Sequence, residues 1–117
     1  MNIVVLQGKL SRAPEERTLP SGDRLVAYEV TTRLDDGSAA TAPVAWPAAP
    51  SRAASLDAGD EVTVVGHVHR RFFQAGGSTQ SRTEVVARDV VPARQRAKVR
   101  KAIARAIDDL GLEEGGG

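Results

Sequence analysis

The chain has no cysteine among its 117 residues. That excludes disulfides, a thiolate nucleophile and cysteine-ligated metal. It is almost without aromatics: Tyr28, Trp46, Phe72 and Phe73 are the whole set, 3% of the chain. A core must therefore be assembled from Val, Leu, Ile and Ala. No apolar run approaches the roughly 18 residues of a membrane span. The opening MNIVVLQGKLSR has too short an apolar run, and no positive segment before it, for a signal peptide. The expectation is one soluble, cytoplasmic chain with a single core.

Charge of one sign is also missing overall, since the formal net charge is +1. The distribution is less even. Residues 1–91 hold 10 Lys/Arg against 11 Asp/Glu, and residues 92–117 hold six against four. Total charge is therefore uninformative about partners, and any anion-binding surface must come from local clustering.

What is present is a series of short strands. Residues 2–11 alternate, with Val4, Leu6, Gly8 and Leu10 on one face and Ile3, Val5, Gln7 and Lys9 on the other. Ile3 and Val5 make the second face apolar at its start, as an oligomer interface would be. LPSGD at 19–23 marks a tight turn. Strands follow at 24–34 and 40–46, the latter holding Pro43, which suits an edge or a bulge. PSRAASLDAGD at 50–60 reads as a short helix or helical turn before a fourth strand at 60–73. QAGGST is a turn, and 80–91 is its partner strand. After Pro92 the period becomes helical, with Val99, Ala102, Ile103, Ala106, Ile107 and Leu110 on one stripe. Five strands, a short helix between the third and fourth, and a C-terminal amphipathic helix predict a mostly β, five-stranded barrel. The expected organisation is a barrel over 1–92, a basic amphipathic helix over 93–111 and a disordered tail over 112–117.

Half of the aromatics lie in one stretch, GHVHRRFFQAGG at 66–77. Alternation puts Val62, Val64, Gly66 and Val68 on one face, suited to the inside of a narrow barrel. His67, His69, Arg71 and Phe73 fall on the other. Such a pair of rings can be a hairpin cap or a subunit contact. Ringed by Arg70 and Arg71, it can also be a platform for bases, whose stacking is worth about 1–3 kcal/mol each. By parity Phe72 belongs with the barrel-lining set and is expected to close the barrel's end. His67 and His69 have no third ligand in their segment, so no metal and no cofactor are expected.

Taken in order, these segments resemble the bacterial single-stranded DNA-binding protein family, an OB-fold, over roughly residues 2–91. NIVVLQGKLSRAPEER supplies a Gly-x-Leu followed by a Pro and a Glu-x-Arg, here Gly8, Leu10, Pro14, Glu15 and Arg17. LPSGDRLVAYEVTT resembles the family's Pro-x-Gly turn and second strand, LDAGDEVTVVGHVHRRFF its Gly-Asp strand, and SRTEVVARDVV its last barrel strand. The resemblance implies largely sequence-independent binding of single-stranded DNA in replication, repair or recombination, in a nucleoid-associated homotetramer, with a dimer as the alternative assembly. It implies stacking on Trp46 and Phe73. From resemblance and position, Lys9, Arg33, Arg70, Arg71 and Arg82 are the phosphate contacts, with Phe72, His67 and His69 beside them. The chain departs from the family near Asp36 and Ala40, where family aromatics are missing, and in ending EEGGG rather than in an acidic Pro-Phe tip. Tail-mediated recruitment of proteins is therefore not expected.

An enzyme is not expected, because no nucleophile has a base near it and no Gly-rich loop is placed to cradle a phosphate. The alternative reading is an OB-fold protein-interaction module without a DNA surface. The basic residues of the last helix, Arg94, Arg96, Lys98, Arg100, Lys101 and Arg105, leave three roles open: packing on the barrel, pairing with another subunit, or extending a DNA path.

Overall fold

A computed structural model describes residues 1–111; the expected disordered tail at 112–117 lies outside the described residues. Among the described residues, six strands and one α-helix follow one another: β1 (Val4–Leu10), β2 (Glu15–Thr18), β3 (Arg24–Arg33), β4 (Ala39–Pro47), β5 (Glu61–Ala75), β6 (Ser78–Pro92) and α1 (Arg96–Asp109). The sheet runs β1-β5-β6-β4-β3-β2, and β1 also pairs with β3. That last pairing, Lys9 with Thr31 and Leu10 with Val30, closes five of the strands into a barrel. β2 is an added flap, paired antiparallel to the first half of β3. The mostly β barrel with a C-terminal helix is the OB-fold architecture expected from the sequence.

Backbones approach too closely for side chains at two points, one at the closure and one at a β5–β6 irregularity, and glycine stands at both. A Cβ on Gly8 would run into the carbonyl oxygen of Thr31, and one on Gly66 into that of Val86. The inside is filled almost entirely by branched aliphatics. Leu10, Val26, Val30, Val62, Val64 and Val90 are fully buried, so the shortage of aromatics is answered by valine. Tyr28 is the polar exception, and its hydroxyl donates to the carbonyl of Ala53 at 2.7 Å. Burial pushes that hydroxyl well above the ordinary phenol range.

The short helix expected between the third and fourth predicted strands is a correction. Between β4 and β5 there is only a single 3₁₀ turn, Ser51–Ala54. Its bonds span three residues, Ala53 N–H to Pro50 O and Ser55 N–H to Arg52 O. No side chain caps it, and only Ala53 is buried. One small buried residue provides too little apolar surface to hold a longer helix against the barrel.

β6 carries an irregularity that sequence alternation did not reveal. Val64 faces Val90 and Val65 faces Asp89, but Gly66 faces Ala87, so Arg88 is an extra residue on β6. This bulge moves the inward set from Val90 to Ala87 and Val85, a spacing of three and then two.

Helix α1 covers the outer face of the sheet. Val65, Val91, Ala102 and Ala106 form a second buried cluster, with Ile3, Val99 and Ile103 packed against it. Arg88 pairs with Asp109, and Arg105 with Asp89 at 3.2 Å, pinning the helix to β6. The apolar stripe read from the sequence is thus mainly a packing stripe, although Ile107 and Leu110 at its far end stay exposed. Among the described residues, no helix is long and apolar enough to cross a membrane.

Candidate functional site

From Val68 onward the β5–β6 hairpin leaves the barrel. Residues 67–72 and 78–83 are exposed, and the arm ends in a two-residue turn at Gly76 and Gly77, with φ of 59° and 80°. Positive φ at both positions matches the right-handed twist of a tight hairpin, and glycine adopts it without strain. The arm from Val68 to Ala75 is about 26 Å long at about 3.3 Å per residue. Asn2 braces its base: its side-chain amide donates to the carbonyl of Val68 at 2.8 Å and accepts from the Val68 N–H at 3.0 Å.

The two faces of the arm differ. One carries His67, His69, Arg71 and Phe73, opposite Val86, Glu84, Arg82 and Gln80 respectively. Arg71 lies over the Phe73 ring, 5.6 Å from its centroid, and sits 3.9 Å from the Glu84 carboxylate. Arg71 and Arg82 are direct cross-strand neighbours. Like charges directly opposite each other destabilise a sheet; Glu84 offsets this at Arg71, and Arg82 is left without an ion pair among the described residues. The other face carries Arg70 and Phe72, opposite Thr83 and Ser81.

Phe72 is 66% exposed, which corrects the expectation that it closes the barrel. The alternation was read properly, but the barrel ends before the strand does, so a residue of inward parity emerges into solvent. Val68, of the same parity, is exposed for the same reason.

Trp46 lies inside the barrel and not on its outer surface. It is 5% exposed and belongs to the barrel's own core cluster. Pairing of Trp46 with Val26 sets it on the inward row, and Arg52 caps its ring at 5.4 Å from the centroid. Neither face of the ring is open to a base.

Below the first face of the arm lies a cleft of about 350 Å³. Arg71, Arg82 and Glu84 form one wall, the outward residues Ala27, Glu29, Pro43 and Ala45 the floor, and Arg12 and Arg17 the opposite side. Arg12 was not singled out from the sequence and Arg17 only as part of the Glu-x-Arg signature, because they lie in a charged segment with no alternating apolar residues. Both are ion-paired, Arg12 with Glu29 at 3.3 Å and Arg17 with Glu15 at 3.2 Å. Hydrogen bonding from Arg17, with its charge, holds the Glu15 carboxyl below the usual carboxylate range.

Lys9 and Arg33 are brought together elsewhere on the same outer surface. They line a second cleft of about 310 Å³ with Thr31 and Glu61, and Arg33 also donates to the carbonyl of Gly37 at 2.9 Å. The outward row of β3 runs Leu25, Ala27, Glu29, Thr31, Arg33, so it links the two clefts. Ion pairs involving Lys9, Arg33, Arg70 or Arg82 are absent among the described residues.

The face expected at an oligomer interface is partly filled from within the chain. Ile3 packs against the α1 cluster, whereas Val5 is 46% exposed. Among the described residues, no group of three or more His, Asp or Glu side chains is placed to hold a metal ion.

The model of the single-strand binding protein family matches residues 1–93. No curated protein matches the chain. The matched segment contains the barrel, the arm and both clefts, and ends before α1.

Proposed function

Because the chain belongs to the single-strand binding protein family, whose ligand is single-stranded DNA, we propose that it holds the strand along the β5–β6 arm and the outer row of β3. Phosphates meet Arg71, Arg82, Arg70, Lys9 and Arg33, and bases stack on Phe73 and Phe72. The action is binding without covalent chemistry. The observation that carries the reading is the facing pair Arg71 and Arg82 beside Phe73. Glu84 offsets the charge of Arg71, whereas Arg82 has no ion pair among the described residues, and the neighbouring ring offers the flat partner that an unpaired base needs.

Several features agree with a sequence-tolerant mode. The rings and guanidinium groups read no base edge, and stacking accepts any base. His67 and His69 line the same face as Arg71 and extend its polar surface. The arm stands clear of the barrel, so a flexible strand can reach both of its faces. Roles in replication, repair or recombination follow from such binding. Assembly into a homo-oligomer is a separate part of the reading, for which Val5 offers exposed apolar surface.

A protein-interaction module is the second reading. It is favoured by the burial of Trp46 and by the ion pairs that occupy Arg12, Arg17 and Arg71. Fluorescence anisotropy of an end-labelled oligothymidylate at low salt separates the two. Saturable binding that a duplex of the same length competes for poorly supports the strand-binding reading. No binding at low salt overturns it in favour of the module.

A further inference from the structure

The last helix presents a basic surface that its packing role leaves unexplained. Arg88 and Arg105, at the far end, tie sheet and helix together through Asp109 and Asp89. Arg94, Arg96 and Arg100, at the near end, have no ion pair among the described residues. All three are exposed. Arg96 and Arg100 stand four apart on the helix, where like charges are destabilising. No acidic residue in the first turn offsets them. Helix stability therefore argues against this arrangement.

These three arginines line a third cleft, of about 560 Å³, together with Gln7, Glu61 and Val99. Gln7 and Glu61 also line the cleft that holds Lys9 and Arg33, so the two clefts share a border. Gln7 is fixed there, its amide donating to the Thr63 hydroxyl at 3.0 Å. The floor between them is the outward row of β1, which is polar at Gln7 and Lys9.

We propose that Arg94, Arg96 and Arg100 form a second phosphate-binding segment, taking the strand on from Lys9 and Arg33, past Gln7, to the start of α1. The inference rests on the strand-binding reading above and extends it to residues beyond the family match, which stops at residue 93. Single-stranded nucleic acid fits the lane because the cations are spaced along a groove and not gathered round one point. Glu61 is the one carboxylate on the border of both clefts, and it opposes the passage of phosphate.

Length dependence tests this with the intact chain. A thymidylate of about eight nucleotides lies within the span of one OB-fold site, and one about three times longer can occupy both segments. The triple variant Arg94→Gln, Arg96→Gln, Arg100→Gln should leave the short oligomer's affinity unchanged. It should weaken the long one roughly 10–100-fold near 0.1 M salt and flatten its log–log salt slope by about 2, at about 0.7 per phosphate. Glu61→Gln should tighten the long oligomer, an effect that loss of folding cannot imitate. Equal affinities of wild type and triple variant for the long oligomer overturn the inference while the strand-binding reading stands. Equal weakening of both lengths also overturns it, because the arginines then belong to no separate segment. If the wild type binds neither length, both the inference and the reading beneath it fail.

Discussion

The Arg52 guanidinium lies over the Trp46 ring, 5.4 Å from its centroid, and donates to the carbonyl of Val90 at 3.1 Å. The only tryptophan is thereby roofed by a side chain that is itself anchored to the neighbouring strand. Trp46 is a structural residue on the inside of the barrel, so its emission should report unfolding and not ligand. Titration with oligothymidylate should leave Trp46 fluorescence essentially unchanged while labelled strand binds. Trp46→Ala should cost about 3–5 kcal/mol in denaturant unfolding, the range for emptying a buried aromatic site. Strong quenching on strand binding would mean that the ring reaches solvent.

The two phenylalanines should separate binding from stability. Phe72 is 66% exposed, so Phe72→Ala should shift the unfolding midpoint little while weakening strand binding. Phe73, half-covered by Arg71, should lose binding on truncation with a modest loss of stability. Each substitution should cost about 1–3 kcal/mol of binding if its ring stacks on a base. Isothermal titration beside urea melts distinguishes the two quantities. A Phe72→Ala variant that binds normally would assign stacking to Phe73 alone.

Tyr28 gives the barrel an alkaline limit. Its folded-state pKa is raised by burial, so the neutral phenol is the form the fold holds. The stability it contributes is complete below the unfolded-state value of about 10. That contribution declines as pH rises above the unfolded value toward the higher folded one. Urea unfolding at pH 8 and pH 11 should show a loss in the wild type that is smaller in Tyr28→Phe. At pH 8 the variant should already be about 1–3 kcal/mol less stable, because the Ala53 carbonyl loses its donor. An identical alkaline loss in both proteins would place its cause elsewhere.

Gly8→Ala and Gly66→Ala should each destabilise the barrel by at least about 2 kcal/mol. The added methyl meets backbone, of Thr31 and Val86 respectively, and not the end of a movable side chain. Thermal melts provide the comparison, and a variant as stable as the wild type would show that the strands can separate there without cost.

The parts of this fold that were legible in the sequence are those written in alternation. β1, β3, β4 and β5 have one apolar row each, and the periodicity of α1 is plain at Val99, Ala102, Ile103 and Ala106. β2 was not legible because Glu-Glu-Arg-Thr buries nothing; it is a strand only because β3 supplies a pairing edge. The bulge at Arg88 was invisible because a valine-rich run reads the same in either register. The site was legible in chemistry but not in depth. Arg71 and Phe73 fall together by parity, whereas the fate of Trp46 and Phe72 depended on where the barrel stops, which alternation does not encode. That Arg71 faces Arg82 required the register of the hairpin, which in turn depends on the Gly76–Gly77 turn.

On the strand-binding reading proposed above, the facing arginines of the arm hold phosphate. The most direct measurement is the salt dependence of oligothymidylate binding by Arg71→Gln, Arg82→Gln and the double variant, with the urea midpoint of each recorded alongside. The account predicts that the double variant flattens the log–log salt slope by about 1.4, at about 0.7 per phosphate. It also predicts that folding stability changes little, because removing the like-charge pair offsets losing the exposed Arg71–Glu84 ion pair. Unchanged affinity and slope in the double variant would contradict it.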